Sequence, residues 1–324
     1  MKALRCHAFG PVGELTVDEI PSPVPGSNDV VIAVKAAGVN FPDTLIVQGK
    51  YQLKPGLPFT PGSEFAGRVK EVGREVTRFK PGDAVVGLAP YGGFAEEAVV
   101  DAGSVIPLPQ RVDPTAAAAL MMAHGTSLHA LKDRARLGAG ETLLVLGAAG
   151  GVGLAAVEIG KLLGATVIAA ASTDAKLDLC RSRGADAAIN YSSEDLKARI
   201  RALTDGRGVD VVFDPVGGPY AAPVLRSIAW NGRYLVVGFA AGEIPQVPLN
   251  LPLLKGYAIV GVYWGTFARR EPAANAANTQ LLLDWAASGR LRPLVSARYP
   301  LSQAVAALTA MMRREVTGKV VIVP

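Results

Sequence analysis

Residues 143–153 read LLVLGAAGGVG. An apolar, strand-like run enters a glycine-rich turn, and the helical pattern LAAVEIGKLLG follows at 154–164. Strand, tight glycine turn and helix form the setting in which a glycine motif binds the pyrophosphate of a dinucleotide. Glycines let the main chain come close to the phosphates. The N–H groups and the dipole at the helix N-terminus favour negative charge there. Gly150 and Gly153 take the second and third places of a G-x-G-x-x-G motif, but Ala148 stands at the first; Gly147, one residue earlier, makes the pattern G-x-x-G-x-x-G. The expected cofactor cradle is Ala149, Gly150, Gly151, Val152 and Gly153. The plain alternative is a tight strand–helix turn with no ligand.

A dinucleotide site that prefers NAD usually places an acid about 20 residues further on, at the tip of the second strand, to hold the ribose 2′-OH. Here that strand, ATVIAAAS at 165–172, ends in Ser172 and Thr173. Lys176 follows within one turn, and Tyr191 closes the next strand-like segment, AAINY. A hydroxyl, an ammonium and a phenol suit a phosphate dianion, which a carboxylate would repel. NADPH is therefore the expected cofactor, with Ser172, Lys176 and Tyr191 around its 2′-phosphate. The same Ser172, Thr173 and Asp174 also read as a helix cap, and the two readings are compatible.

The chain has 324 residues, of which 50% are hydrophobic and 19% charged, enough for about two domains with a core each. Its longest apolar runs fall short of the ~18 residues that a membrane helix needs. The opening MKALRCHAFGPVGELTVDE has no signal-type apolar core, and the two cysteines, Cys6 and Cys180, lie far apart. A cytoplasmic protein is expected, and no zinc site can be assembled from two cysteines. The net charge of +5 comes with scattered arginine pairs and only 6% aromatic residues, a poor match to a nucleic-acid surface.

Along the chain, 1–122 is rich in short apolar runs between Pro/Gly turns, such as VVIAVKAAGV (30–39) and FAGRVKEVG (65–73). That spacing predicts a compact, partly closed barrel. From Asp113, read as an N-cap with Pro114 in the first turn, the chain turns helical. Strands and helices then alternate, which predicts a parallel sheet with crossover helices. The ending GKVVIVP reads as a strand that returns to the first domain. The expected division is 1–122 with 264–324 as the barrel domain, and 123–263 as the nucleotide domain.

Several motifs in order resemble one family. They include GVNFPDTLIVQGKY (38–51), PFTPGSEFAGRVKEVG (58–73), FKPGDAVVG (79–87), HGTSLHAL (124–131), LVLGAAGGVGLAAVEIGK (144–161), FDPVGG (213–218), NGRYLVVGFA (231–240) and GKVVIVP (318–324). Over essentially its whole length the chain resembles the zinc-independent, zeta-crystallin-like quinone oxidoreductases among the medium-chain dehydrogenases/reductases. The resemblance implies an α/β protein: a GroES-like β-barrel domain with an inserted Rossmann doubly wound parallel sheet. It also implies cofactor contacts from Asn40, from Thr126 at a helix start, from Phe239 and Ala240 after the fifth strand, and from Arg314 near the tail. Asn40, Asp43 and Tyr51 match positions that line the acceptor site in related reductases. Asn40 is expected to bond the acceptor oxygen or the nicotinamide ribose, and Tyr51 to donate a proton or stack. Asn40 and Asp43 also read as residues that only fix the turn before a helix.

Zinc-dependent relatives carry Cys where this chain has Asn40 and His where it has Ser63, so no metal is expected. Without a Lewis acid, hydride transfer to an electron-poor quinone or conjugated enone is the chemistry that remains. Two alternatives stand beside it. One is an enoyl-thioester reductase of the same fold. The other is a cofactor-binding structural or RNA-binding protein without turnover. Finally, YAIVGVY (257–263) is apolar on both faces and is expected at the edge of the Rossmann sheet. An apolar edge needs cover, and a homodimer through it is expected.

Overall fold

The computed structural model describes residues 1–324. Contacts divide the chain into two compact units, one formed by Met1–Met122 with Arg292–Pro324 and the other by Ala123–Leu291.

The first unit is built on β-strands. They are β1 (Lys2–Arg5), β2 (Thr16–Glu19), β3 (Asp29–Gly38), β4 (Glu64–Val72), β5 (Ala84–Leu88), β6 (Glu97–Asp101) and β7 (Val105–Pro107). β3 is the spine. It pairs antiparallel with β4 along most of its length and with β6 at its start. Its burial is nearly continuous, so both of its faces are covered. The core beneath it collects Leu4, Ile32, Phe65, Phe94 and Val320.

The second unit is a parallel sheet of six strands: β8 (Thr142–Leu146), β9 (Thr166–Ala171), β10 (Ala187–Asn190), β11 (Val209–Asp214), β12 (Ile228–Val236) and β13 (Ala258–Gly261). Their order is β10-β9-β8-β11-β12-β13, and every pairing is parallel. Counted from β8, that is 3-2-1-4-5-6, the doubly wound order that reverses between its first and fourth strands. Every residue of β8 is buried, as expected of a central parallel strand covered on both faces. β13 lies at the sheet edge with Ile259 41% exposed. The preceding helix, Asn250–Lys255, buries none of its residues and leaves Leu253 and Leu254 exposed.

The chain returns to the first unit through β14 (Val295–Pro300) and β15 (Lys319–Val323). β15 pairs antiparallel with the end of β3. The point of return lies later than the expected 264. Helices Trp264–Arg270 and Pro272–Ala287 make their contacts within the second unit. The Phe267 ring stacks on His129 at 3.8 Å, and Asn278 Nδ2 donates to Asp133 at 2.7 Å. These contacts join segments far apart in the chain, and no local pattern announces them.

The helical stretch after Asp113 is also more broken than its composition suggests. Asp113 caps Pro114–Ala117 by accepting from the Ala116 N–H at 3.0 Å. A second helix, Met121–Leu128, follows and widens into a π-helical turn at His129–Arg134. Thr126 therefore lies in the body of a helix rather than at its start.

Candidate functional site

In the second unit the glycine motif sits where β8 feeds the helix Gly151–Leu162. Gly147 has φ 57°, a left-handed conformation that side chains resist, so it makes the turn that the motif normally assigns one residue later. Gly153 answers a different need. A Cβ there would stand 2.3 Å from the Gly147 carbonyl oxygen and 2.8 Å from Ala148 Cα. Helix and strand can meet this closely only without a side chain. Gly150 is the N-cap, and a Cβ there would meet nothing nearer than 3.4 Å. The protein interior does not demand a glycine at 150, so its value is open backbone at a helix N-terminus. Gly151 and Val152 are half-buried in the first turn, and Ala149 is buried behind it.

At the carboxyl end of β9, Lys176 Nζ donates to Ser172 Oγ at 3.3 Å. Thr173 caps the helix Asp174–Ser182, its hydroxyl accepting from the Lys176 N–H. Asp174 is turned to Asn190, whose Nδ2 donates to it at 2.8 Å. The carboxylate nearest the strand tip is thus engaged elsewhere. Tyr191 follows β10, its N–H bonded to the Ala171 carbonyl, and its ring lies 4.4 Å from that of Tyr220. Ser172, Lys176 and Tyr191 therefore gather around the ends of two neighbouring strands.

Asp214 closes β11 and is a residue that the sequence reading missed. Its carboxylate accepts from the N–H groups of Val216 and Gly217 at 2.7 and 2.8 Å, and from the Tyr234 hydroxyl. Burial raises its pKa from the usual value. These bonds fix the FDPVGG turn at the switch in strand order. Phe239 is partly exposed beyond β12, against Gly217, and the Ala240 N–H donates to the Pro215 carbonyl at 3.0 Å.

The first unit holds a buried polar cluster. Asn40 stands two residues beyond β3 and is the N-cap of the helix Phe41–Val47. Its main-chain N–H donates to Asp43 Oδ2 at 2.8 Å, and the Asp43 N–H returns to the Asn40 carbonyl at 3.0 Å. The Asn40 amide donates to Glu64 Oε1 at 3.0 Å and to the Gly38 carbonyl at 3.3 Å. Its own oxygen accepts from Lys319 Nζ at 2.5 Å. Lys319 also donates to Glu64 Oε1 at 2.6 Å and to the Val39 carbonyl at 3.2 Å. Glu64 Oε2 takes the Met122 N–H at 2.8 Å. Glu64 is 0% and Lys319 3% exposed. Ser63 Oγ donates to Asp43 Oδ1 at 3.3 Å. Burial pushes the Asp43 carboxyl up to about 7, against the lowering effects of the Asn40 N–H and Lys319.

Of the sequence-expected barrel residues, Asn40 and Asp43 come together, while Tyr51 packs half-buried against the apolar core. Arg314 follows the helix Ala304–Met312 with φ 58° and belongs to the first unit. Glu64 and Lys319 were not singled out from sequence. The one available signal was a lysine opening the apolar run KVVIV, where a buried cation needs a buried anion.

Comparison with known proteins places these features in context. Residues 26–110 match the family model described as "Alcohol dehydrogenase GroES-like domain". Residues 151–279 match "Zinc-binding dehydrogenase". A quinone oxidoreductase-like protein 2 homolog of Nematostella vectensis is 40% identical over 99% of this chain and 88% of its own length. The Escherichia coli quinone oxidoreductase, solved in complex with NADPH, superposes with a TM-score of 0.94 at 29% identity, covering 100% of both chains. The CurK enoyl reductase superposes with a TM-score of 0.89 at 26% identity, covering 99% of this chain and 98% of its own.

The second family description implies a zinc ion, and the residues here do not fit one. Asn40 and Ser63 offer neither thiolate nor imidazole, the Asn40 oxygen and Glu64 Oε1 are already bound to an ammonium, and Glu64 Oε2 to a main-chain N–H. Nowhere do three His, Cys, Asp or Glu side chains form a ligand group. A dinucleotide does fit: the second unit offers an open helix N-terminus beside a hydroxyl–ammonium pair.

Proposed function

Because the chain belongs to the quinone oxidoreductase family of medium-chain dehydrogenases/reductases, we propose that it is an NADPH-dependent reductase of quinones or conjugated enones. The observation that carries this reading is the pairing of the glycine loop with Ser172 and Lys176 at the end of β9. The main chain of Ala149–Gly153 would take the pyrophosphate, as a helix N-terminus does for anions generally. Ser172, Lys176 and Tyr191 would hold the 2′-phosphate. Thr126, Phe239, Ala240 and Arg314 are the further cofactor contacts of the proposal. The chemistry that the cofactor supplies when bound is a hydride, which an acceptor already electron-poor takes without a metal.

In the first unit the Asn40 amide is fully engaged by Glu64, Gly38 and Lys319. We therefore assign Asn40 and Asp43 to positioning: they fix the strand end and the helix that follows. Tyr51 is the proposal's proton donor to the acceptor's oxygen. A preference for quinones over alcohols is supported by Asn40 and Ser63, which offer neither the thiolate nor the imidazole that would hold a Lewis acid. The free, buried cysteines suit a reducing, cytoplasmic setting. The exposed edge of β13, with Ile259 and the neighbouring Leu253 and Leu254, supports a homodimer.

A panel of benzoquinones, naphthoquinones, short enones and enoyl-CoAs, followed by NADPH oxidation, tests the function. Turnover with quinones or enones is expected. Turnover confined to enoyl-CoAs would favour the second reading, an enoyl-thioester reductase, which the likeness to the CurK enoyl reductase supports. Oxidation of simple alcohols with no reduction of any of these acceptors would overturn both. Light scattering at micromolar concentration tests the dimer, and a monomer there would contradict it.

A further inference from the structure

An ammonium group has three N–H donors. Those of Lys319 have three oxygens in reach: Asn40 Oδ1 at 2.5 Å, Glu64 Oε1 at 2.6 Å and the Val39 carbonyl at 3.2 Å. The cluster is almost sealed from solvent, with Lys319 3% and Asn40 8% exposed. Glu64 is wholly buried, and Lys319 is its salt-bridge partner. Its second oxygen is held by the Met122 N–H. Asp43 is the other titratable group that interacts with this pair.

We propose that Lys319 is a resident cation occupying a three-oxygen coordination site, and that it does for Glu64 what a bound metal ion would do while keeping metal ions out. The three oxygens are of the kind that hard divalent cations take: a carboxylate, an amide and a main-chain carbonyl. A divalent ion entering among them would meet an ammonium already bonded to the same atoms. The site is complete without a metal because its cation arrives with the chain, on the first residue of β15. The same arrangement explains how Asn40 is held. Its oxygen is turned to Lys319 and its nitrogen to Glu64, which sets the amide orientation without help from a ligand. This inference rests on the first unit alone and stands whether or not the acceptor is a quinone.

The test is thermal unfolding of three proteins with and without millimolar manganese: the parent, Lys319→Met, and Lys319→Met with Glu64→Gln. Lys319→Met leaves the three oxygens without their cation, so manganese is expected to raise its Tm by at least about 3 °C, the size of a real binding linkage for a domain of this scale. The parent and the double variant are expected to shift by less than about 1 °C, within the spread of non-specific ion effects. If Lys319→Met folds only with manganese present, the proposal is upheld; if it folds only once Glu64→Gln is added and never with manganese, the cluster is an ordinary buried ion pair and the proposal is overturned. Equal manganese shifts in all three proteins would overturn it. So would the absence of a shift in Lys319→Met, or failure of that variant to fold under either rescue.

Discussion

At residues 147–153 the second unit presents main chain: glycines, a left-handed turn and the first N–H groups of a helix. At residues 40, 64 and 319 the first unit presents side chains: an amide, a carboxylate and an ammonium locked together in the interior. Both regions handle charge. The loop does so with partial charges that stay open to a ligand, and its requirement is the absence of side chains. The cluster does so with full charges that satisfy one another, and its requirement is three particular side chains from three remote segments. A site of the first kind tolerates change around it but not bulk within it. A site of the second kind fails when any one member is removed.

The sharpest way to break this comparison is to remove one charge from the cluster. Glu64→Ala leaves Lys319 buried without its anion and should cost about 3–5 kcal/mol, as broken buried pairs do. Denaturant unfolding reads this directly, and a loss below about 1 kcal/mol would place the pair with solvent-screened surface bridges instead. The companion effect in the second unit appears in binding. Lys176→Ala should weaken NADPH by roughly 1.5–3 kcal/mol, as expected for a charge-assisted hydrogen bond, and leave NADH nearly unchanged. Equal losses for the two cofactors, measured by titration calorimetry, would remove Lys176 from the 2′-phosphate.

Two glycine substitutions sharpen the contrast between bulk and openness. Gly153→Ala puts a methyl 2.3 Å from a carbonyl oxygen and should destabilise the protein by about 1–3 kcal/mol, the usual cost of overpacking. Gly150→Ala meets nothing closer than 3.4 Å, so its Tm should stay near that of the parent while NADPH affinity falls. Matched Tm losses in both variants would mean that position 150 is needed by the fold rather than kept open for a ligand.

A further effect is a slope. Burial holds the Asp43 carboxyl at about 7 in the folded chain, above its unfolded value of 3.8. The native state therefore keeps this proton where the unfolded chain has lost it, and stability should fall as pH rises from about 4 through about 7. Asp43→Asn should flatten that dependence in denaturation midpoints taken across the same interval. An unchanged slope would assign the pH response to other groups.

The loop and its strands were legible from sequence because their information is local. Alternation of apolar runs with helical patterns is read within a window of a dozen residues, and a glycine needed by a neighbour six positions away stays within one motif. The Ser172–Lys176 pair was legible for the same reason, since both lie within one turn after a strand. Asn40 and Asp43 were found by resemblance, and the sequence already offered turn-fixing as their plain role; their mutual bond fits that role. Lys319 was not found, since nothing near it in the chain says what it faces.

Sequence alone determined that a parallel nucleotide sheet follows a barrel, and that the tip of its second strand, where the ribose acid would stand, ends in Ser172 and Thr173. Tertiary structure alone decided three things. It turned Asp174 away to Asn190, it gathered helices 264–287 onto the second unit through Phe267 and Asn278, and it closed Lys319 onto Glu64 and Asn40. The physical reason is one of range. Backbone conformation and hydrophobic period are set by neighbours in the chain. The cost of a buried charge is set by whatever the fold brings to within 3 Å of it, here a partner 255 residues away.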